Sequence, residues 1–88
     1  MQKTKGAEMS DINNKTEFVV GIKQTLRMID KNCIMEIYIA EDADFYIVGP
    51  VVRAAEAGGI PVRYISSRRK LGRICSIDVG AAAAGRLK

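Results

Sequence analysis

The apolar residues of the chain recur with two different periods, which indicates short strands alternating with helices. Runs rich in β-branched, aromatic or small residues predict strands at residues 17–20, 35–40, 61–65 and 81–84. Apolar positions spaced three and four apart predict helices over residues 22–31, 50–57 and 67–75. This order predicts the α/β class, specifically a three-layer α-β-α sandwich with a four-stranded mixed sheet.

Glycine and proline mark where several of these elements should begin and end. Pro50 suits the first position of a helix, so Gly49 and Pro50 are expected to open one after an ambiguous apolar stretch at residues 45–48. Gly80 and Gly85 are expected to bracket the last strand, which we place inside the sheet.

The last helix has an expected start and an expected buried side. Ser66 and Ser67 offer an N-cap, because a serine hydroxyl can accept a hydrogen bond from a free amide of the first turn. Leu71, Ile74 and Cys75 are expected to point into the core.

Length and charge limit the possible functions. The 88 residues suffice for one domain, which we place at residues 11–88 after a flexible polar leader at residues 1–10. A short helix at residues 10–14 is compatible with the acidic residue there. The formal charge of +4 makes acidic partners such as nucleic acid candidates from the start.

Histidine is absent from the sequence, and this removes much of catalysis and metal binding. Cys33 and Cys75 are far apart and show no zinc or redox spacing, so we interpret both as reduced thiols that fill core space. We expect no cofactor and no metal. The sequence contains no apolar run long enough to span a membrane. We expect the protein to be located in the cytoplasm and to be a monomer.

Polar and basic residues concentrate in three segments that each follow a predicted strand. The helix at 22–31 turns Lys23, Gln24, Arg27 and Lys31 away from its apolar stripe. An acidic loop at 41–44 and a basic helix start at 68–73 follow the next two strands. Ligands tend to bind at the carboxyl edge of such a sheet, and this mixture of groups suits a phosphate backbone with a few base edges.

Four segments of the sequence, in order, resemble the ribosomal proteins of the large subunit that bind RNA kink-turns, the "seven-Ae" and "thirty-e" family. The likeness covers residues 12–85 and is greatest to the small bacterial members. The segments that carry it are GIKQTLR at residues 21–27, IYIAEDAD at 37–44, GGIPVRYI at 58–65 and KLGRICSIDVGAAA at 70–83.

The resemblance implies an RNA-binding module without catalysis, bound to ribosomal RNA, a riboswitch or another structured non-coding RNA. By position, Gly21 would precede the reading residues. Lys23 and Gln24 would contact the guanine edges of tandem sheared G·A pairs, and Arg27 would contact phosphate. In the family this run often reads Gly-x-Asn-Glu-x-x-Lys, so Gln24 loses a charged acceptor but keeps hydrogen-bonding capacity.

The same resemblance implies a pocket for an extruded nucleotide. Asp44 would contact it or hold the loop, and Phe45, where the family often has proline, could stack on a splayed base. Residues 65–67 (Ile65, Ser66, Ser67) would pack against that nucleotide. Gly72 would permit a close approach of backbone, since a glycine in a helix otherwise costs about 1 kcal/mol relative to alanine. Phosphate contacts would come from Lys31 and from Arg68, Arg69, Lys70 and Arg73.

Two other classes of function stay open on the sequence alone. A protein-interaction or accessory module on the same fold would lack selective RNA affinity and would expose an apolar patch near Phe45 and Tyr46. An enzyme would need Cys75 as its nucleophile without a histidine partner. A solvated basic helix face is also common without any ligand.

Overall fold

Seven helices and strands alternate along the part of the chain that the structure, a computed structural model, describes, residues 17–88. The expected leader at residues 1–10 and the short helix at 10–14 lie outside the described residues. The elements are β1 (Phe18–Val20), α1 (Ile22–Asp30), β2 (Ile34–Ala40), α2 (Phe45–Ala57), β3 (Val62–Ile65), α3 (Arg68–Ile74) and β4 (Ala83–Leu87).

The four strands form one mixed sheet in the order β1-β4-β2-β3. Strand β2 pairs with β3 in parallel, whereas β4 is antiparallel to both of its neighbours, β1 and β2. It follows that β1, β2 and β3 run in the same direction and end at the same edge of the sheet. The prediction of a last strand inside the sheet is confirmed.

Helices cover both faces of this sheet, as the alternation of side chains along β2 requires. Ile37 and Ile39 face one side, where Val51 of α2 is fully buried and the apolar stripe of α1 packs beside it. Tyr38 and Ala40 face the other side. There they meet the fully buried Leu71 of α3. The structure therefore has the predicted three-layer α-β-α arrangement.

The prediction that a helix starts at Pro50 is wrong. Helix α2 begins at Phe45 and continues through Pro50, because Asp44 caps it by accepting a hydrogen bond from the Tyr46 amide at 2.8 Å. Proline leaves the carbonyl four residues earlier without its helical partner. That carbonyl belongs to Tyr46, which is 88% exposed, so water can satisfy it.

Two further expectations fail for reasons of packing. Gly85 lies inside β4 rather than after it, and a Cβ there would lie 2.8 Å from Ile34 Cδ1, so close packing requires glycine within the strand. Ile74 is exposed, not buried. Leu71 is fully buried, Cys75 four positions later is half-buried on the same face, and Ile74 ends the helix beside that face.

Candidate nucleic-acid interface

Three loops meet at the edge of the sheet where β1, β2 and β3 end. After β1, the Gly21 amide donates to the Ala83 carbonyl at 3.1 Å. After β2, the Glu41 amide donates to the Ile65 carbonyl at 2.7 Å, which joins the acidic loop to the end of β3. Across four strands spaced ~4.8 Å apart, the edge is ~14 Å wide. The structure thus brings the three predicted site segments together.

Helix α1 begins at Gly21, whose φ of 104° is one that other residues rarely adopt. A Cβ on Gly21 would lie 2.7 Å from Gln24 Oε1, so the Gln24 amide group folds back over the glycine. No side chain among the described residues caps this helix start, and its first turn holds no acidic residue. The positive end of the helix is therefore open at the site.

The outward face of α1 is basic, as the sequence predicts. Lys23, Gln24, Arg27 and Lys31 are all exposed, whereas Thr25 on the opposite side is completely buried. These side chains offer hydrogen-bond donors along the helix, starting at the edge where its N-terminus lies.

The acidic loop after β2 uses its carboxylates within the protein. Asp44 caps α2, and Asp42 Oδ1 accepts from the Arg68 amide at 2.8 Å and lies 3.5 Å from Arg68 Nε. Phe45 and Tyr46 follow the cap, 79% and 88% exposed, with their ring centroids 6.5 Å apart in an edge-to-face arrangement.

The loop after β3 leads into a cationic helix start. Ser67 caps α3, its hydroxyl accepting from the Lys70 amide at 3.0 Å. Before it, Ile65 is half-buried and Ser66 is exposed. The basic side chains that follow are exposed at the same edge of the sheet: Arg68, Arg69 and Lys70.

Gly72 contributes shape rather than surface to the site, because it is buried. A Cβ there would lie 2.1 Å from the Val79 carbonyl oxygen. The segment after α3 therefore runs directly against the helix, held by hydrogen bonds from Ile77 to Gly72 and from Ala81 to Arg68, both 3.0 Å. The close backbone approach that the sequence predicts at Gly72 is confirmed.

This returning segment and α3 enclose a pocket of about 620 Å³. Five of its lining residues have no individual role in the sequence-based site: Asp42, Ile77, Asp78, Val79 and Gly80. The parallel pairing of β2 and β3 brings Asp42 to Arg68, and a sequence interpretation that paired these strands would have found it. We found no sequence signal for the other four.

Among residues 17–88, no group of three or more His, Cys, Asp or Glu side chains could hold a metal ion. Burial raises the pKa of the Cys75 thiol, which keeps it protonated and a poor nucleophile at neutral pH. None of the helices in residues 17–88 has the length and apolar character needed to cross a membrane.

The fold and this edge together define a small α/β-sandwich protein with a cationic edge. A model of the "Ribosomal protein L7Ae/L30e/S12e/Gadd45 family" matches residues 6–88. The chain belongs to this family.

Several curated bacterial proteins are similar to this chain over most of its length. "RNA-binding protein BH0128" of Halalkalibacterium halodurans is 41% identical over 81% of this chain and 87% of its own. "RNA-binding protein YbxF" of Geobacillus stearothermophilus is 42% identical over 82% of this chain and 88% of its own.

Solved structures share the fold. The "Giardia lamblia 15.5kD RNA binding protein" superimposes with a TM-score of 0.76 at 30% identity, over 82% of this chain and 61% of that one. A protein of unknown function from Bacillus halodurans has a TM-score of 0.74 at 17% identity, over 82% of this chain and 72% of that one, and supports the fold alone.

Proposed function

We propose that this protein binds RNA without catalysis and recognises kink-turns, that is, tandem sheared G·A pairs next to an extruded nucleotide. One observation carries the proposal: the sheet edge brings the exposed Lys23, Gln24 and Arg27 of α1 together with the basic start of α3. The names of the similar bacterial proteins and the family support an RNA partner.

Residues in the first turn of α1 contact the bases in this proposal. The Lys23 ammonium can donate to guanine O6 and N7, and the Gln24 amide can both donate and accept at a base edge. Gly21 has no side chain, which leaves room for the Gln24 amide to lie over it at the start of α1.

In this proposal the loops after β2 and β3 bind the extruded nucleotide. Phe45 offers an exposed ring for stacking, and the segment 65–67 offers one half-buried apolar side chain and the Ser66 hydroxyl. Asp44 holds this loop through its hydrogen bond to the Tyr46 amide. A carboxylate engaged in this way repels phosphate less than a free one.

In this proposal the cationic side chains around these base-contacting residues supply the affinity for RNA. Arg27 and Lys31 on α1 and Arg69, Lys70 and Arg73 on α3 are exposed and contact phosphate in this proposal. Arg68 is partly engaged by Asp42. The bound RNA is ribosomal RNA or another structured non-coding RNA of the cytoplasm, and the protein binds it as a monomer.

The experiment compares a kink-turn stem with the same stem in which Watson–Crick pairs replace the G·A pairs, at one fixed salt concentration. We expect the wild type to bind the kink-turn more tightly than the Watson–Crick stem. Lys23→Ala and Gln24→Ala should each reduce the ratio of the two affinities. Arg63→Ala is the control: it also removes one positive charge, and Arg63, which pairs with Glu36 from β3, makes none of the proposed RNA contacts. Equal affinity of the wild type for both RNAs would defeat the proposal.

Arg69→Ala separates phosphate contact from base reading. We expect it to weaken both RNAs by a similar factor and to reduce the slope of log affinity against log salt by ~0.9. A change in the preference between the two RNAs, with the slope unaltered, would contradict the role of Arg69 as a phosphate contact.

A protein-interaction module is the second candidate, because the structure exposes Phe45, Tyr46 and Ile47 as that hypothesis predicts. Aromatic side chains bury about 150–250 Å² each. Two rings and part of one isoleucine therefore supply well under the ~800 Å² that a partner of standard size buries on each side. The patch is too small to serve such an interface by itself.

A further inference from the structure

The outward face of α2 combines an aromatic ring with a cation. Tyr46 and Arg53 are seven positions apart, which places them on the same side of the helix, whereas Val48, Val51 and Ala55 point to the core. Tyr46 is 88% exposed and Arg53 is also exposed. Neither side chain contributes to the core of the described residues.

Gly49 shapes this face. A Cβ on Gly49 would lie 3.2 Å from Arg53 Nη1 and 4.0 Å from Arg53 Cζ. The guanidinium therefore folds back along the helix over Gly49, toward the turn that carries Tyr46. Within residues 17–88, Arg53 takes part in no salt bridge, so its charge is available to a ligand.

The face continues onto the neighbouring helix. Helices α1 and α2 pack on the same side of the sheet, and packed helix axes are typically ~8–10 Å apart. The outward side of α1 carries Lys23, Arg27 and Lys31. This layer therefore carries cations on both helices and the exposed Tyr46 ring on α2, and surfaces that combine cations with aromatic rings bind single-stranded nucleic acid through stacking and charge.

We propose that this face binds an unpaired RNA strand that leaves the kink-turn. One nucleobase stacks on Tyr46, and a backbone phosphate contacts Arg53. This site lies on the outward side of α2, and its Tyr46 ring is next to the Phe45 ring that would stack on the extruded nucleotide, with ring centroids 6.5 Å apart. The inference rests on the proposed function, because α1 must already hold the stem beside this face.

Charge and size favour RNA over a protein as the occupant. The exposed apolar area is that of two rings and an isoleucine, which is small for a protein interface but sufficient for stacking of one or two bases. The cations around it match a phosphate backbone. A protein partner would need an acidic surface and much additional contact area.

The test uses three kinds of RNA built on the kink-turn stem. The first is a blunt stem, the second carries a short uridine extension at either the 5′ or the 3′ end, and the third carries the same extension without bases. We expect the extension at one end to raise wild-type affinity roughly 5- to 150-fold, the range for stacking of a base on an aromatic ring. The abasic extension should lose most of this gain.

Tyr46→Ala should remove the gain from the uridine extension and leave blunt-stem affinity unchanged. Tyr64→Ala is the matched control, because Tyr64 is an exposed tyrosine (56%) that lies on the edge strand β3 and not on α2, and it should keep the full gain. Arg53→Ala should lower the salt slope for the extended RNA by ~0.7, and Arg53→Lys should restore it.

The inference is overturned if neither extension raises wild-type affinity, or if the gain survives Tyr46→Ala. Its failure is distinguishable from that of the proposed function. If the blunt stem still discriminates against Watson–Crick pairs while the extensions add nothing, the inference alone fails. If the two blunt stems bind equally well while the uridine extension still adds affinity that Tyr46→Ala removes, kink-turn recognition fails and this face remains a single-strand site.

Discussion

Replacing Gly72 by alanine tests whether α3 and the segment 77–80 form one rigid unit. The new Cβ would lie 2.1 Å from the Val79 carbonyl oxygen, 3.1 Å from the Val79 carbonyl carbon and 3.3 Å from Gly80 Cα. Ordinary contact begins near 3.4 Å, so helix and segment must separate by about 3.4 − 2.1 = 1.3 Å. All three obstructing atoms belong to the backbone, and none can move away by a simple change of rotamer.

The expected cost follows from opposing contributions. Forcing extra volume into a packed interface costs about 1–3 kcal/mol. The separation also strains the hydrogen bonds Ile77 to Gly72 and Ala81 to Arg68, each worth about 1 kcal/mol. Alanine returns about 1 kcal/mol through its better helix propensity. The balance is a loss of roughly 2 kcal/mol in the free energy of unfolding.

Urea denaturation followed by circular dichroism measures this loss. Gly58→Ala is the matched control, because Gly58 has an ordinary φ of −92° and its Cβ would meet its nearest neighbours at 3.5–3.7 Å. We expect the control to stay within about 0.5 kcal/mol of the wild type. If Gly72→Ala is as stable as the control, the segment 77–80 yields freely and our account of the close approach is refuted.

Two further predictions concern buried polar groups. Thr25 is fully buried, and its hydroxyl has no hydrogen-bond partner among the described residues. Thr25→Val should therefore raise the free energy of unfolding, measured by urea titration, by about 1 kcal/mol. A lower free energy of unfolding would show that the hydroxyl is hydrogen-bonded. The hydrogen bond from Tyr38, opposed by desolvation and aided by Arg63, lowers the pKa of Glu36 below 4.5. Stability from the Glu36 carboxylate is therefore present above about pH 4.5 and lost as the pH falls through the folded pKa. Glu36→Gln should flatten that acid limb of stability against pH, and an unchanged limb would contradict the assignment.

Local patterns predict the elements of this fold well where burial follows the backbone period. In β2, Ile37 and Ile39 alternate with Tyr38 because both faces of the strand are covered, one by α1 and α2 and the other by α3. In contrast, the rule that proline opens a helix fails at Pro50. There Asp44, six positions before Pro50, caps the helix and starts it earlier, and the exposed side of α2 tolerates the lost hydrogen bond.

Local sequence patterns likewise predict some features of the candidate site and not others. The exposed face of α1 follows from the helical period alone, and the need for glycine at position 72 follows from its place within a predicted helix. The partner of Gly72, the Val79 carbonyl, comes from a chain reversal that no local pattern shows. The contact between Asp42 and Arg68 spans 26 positions and arises from the parallel pairing of β2 and β3, so it depends on topology.

The internal use of two carboxylates explains how an acidic loop can border the proposed RNA-binding edge. Asp44 caps α2, where the helix dipole compensates its negative charge, and Asp42 binds Arg68. Both carboxylates thus hold the loops in place while their charge is largely balanced. Arg69 and Arg73, which lie four positions apart on α3, take part in no salt bridge within residues 17–88. These two arginines are therefore free to meet a ligand at this edge, while the contacts of Asp42 and Asp44 fix the shape of its loops.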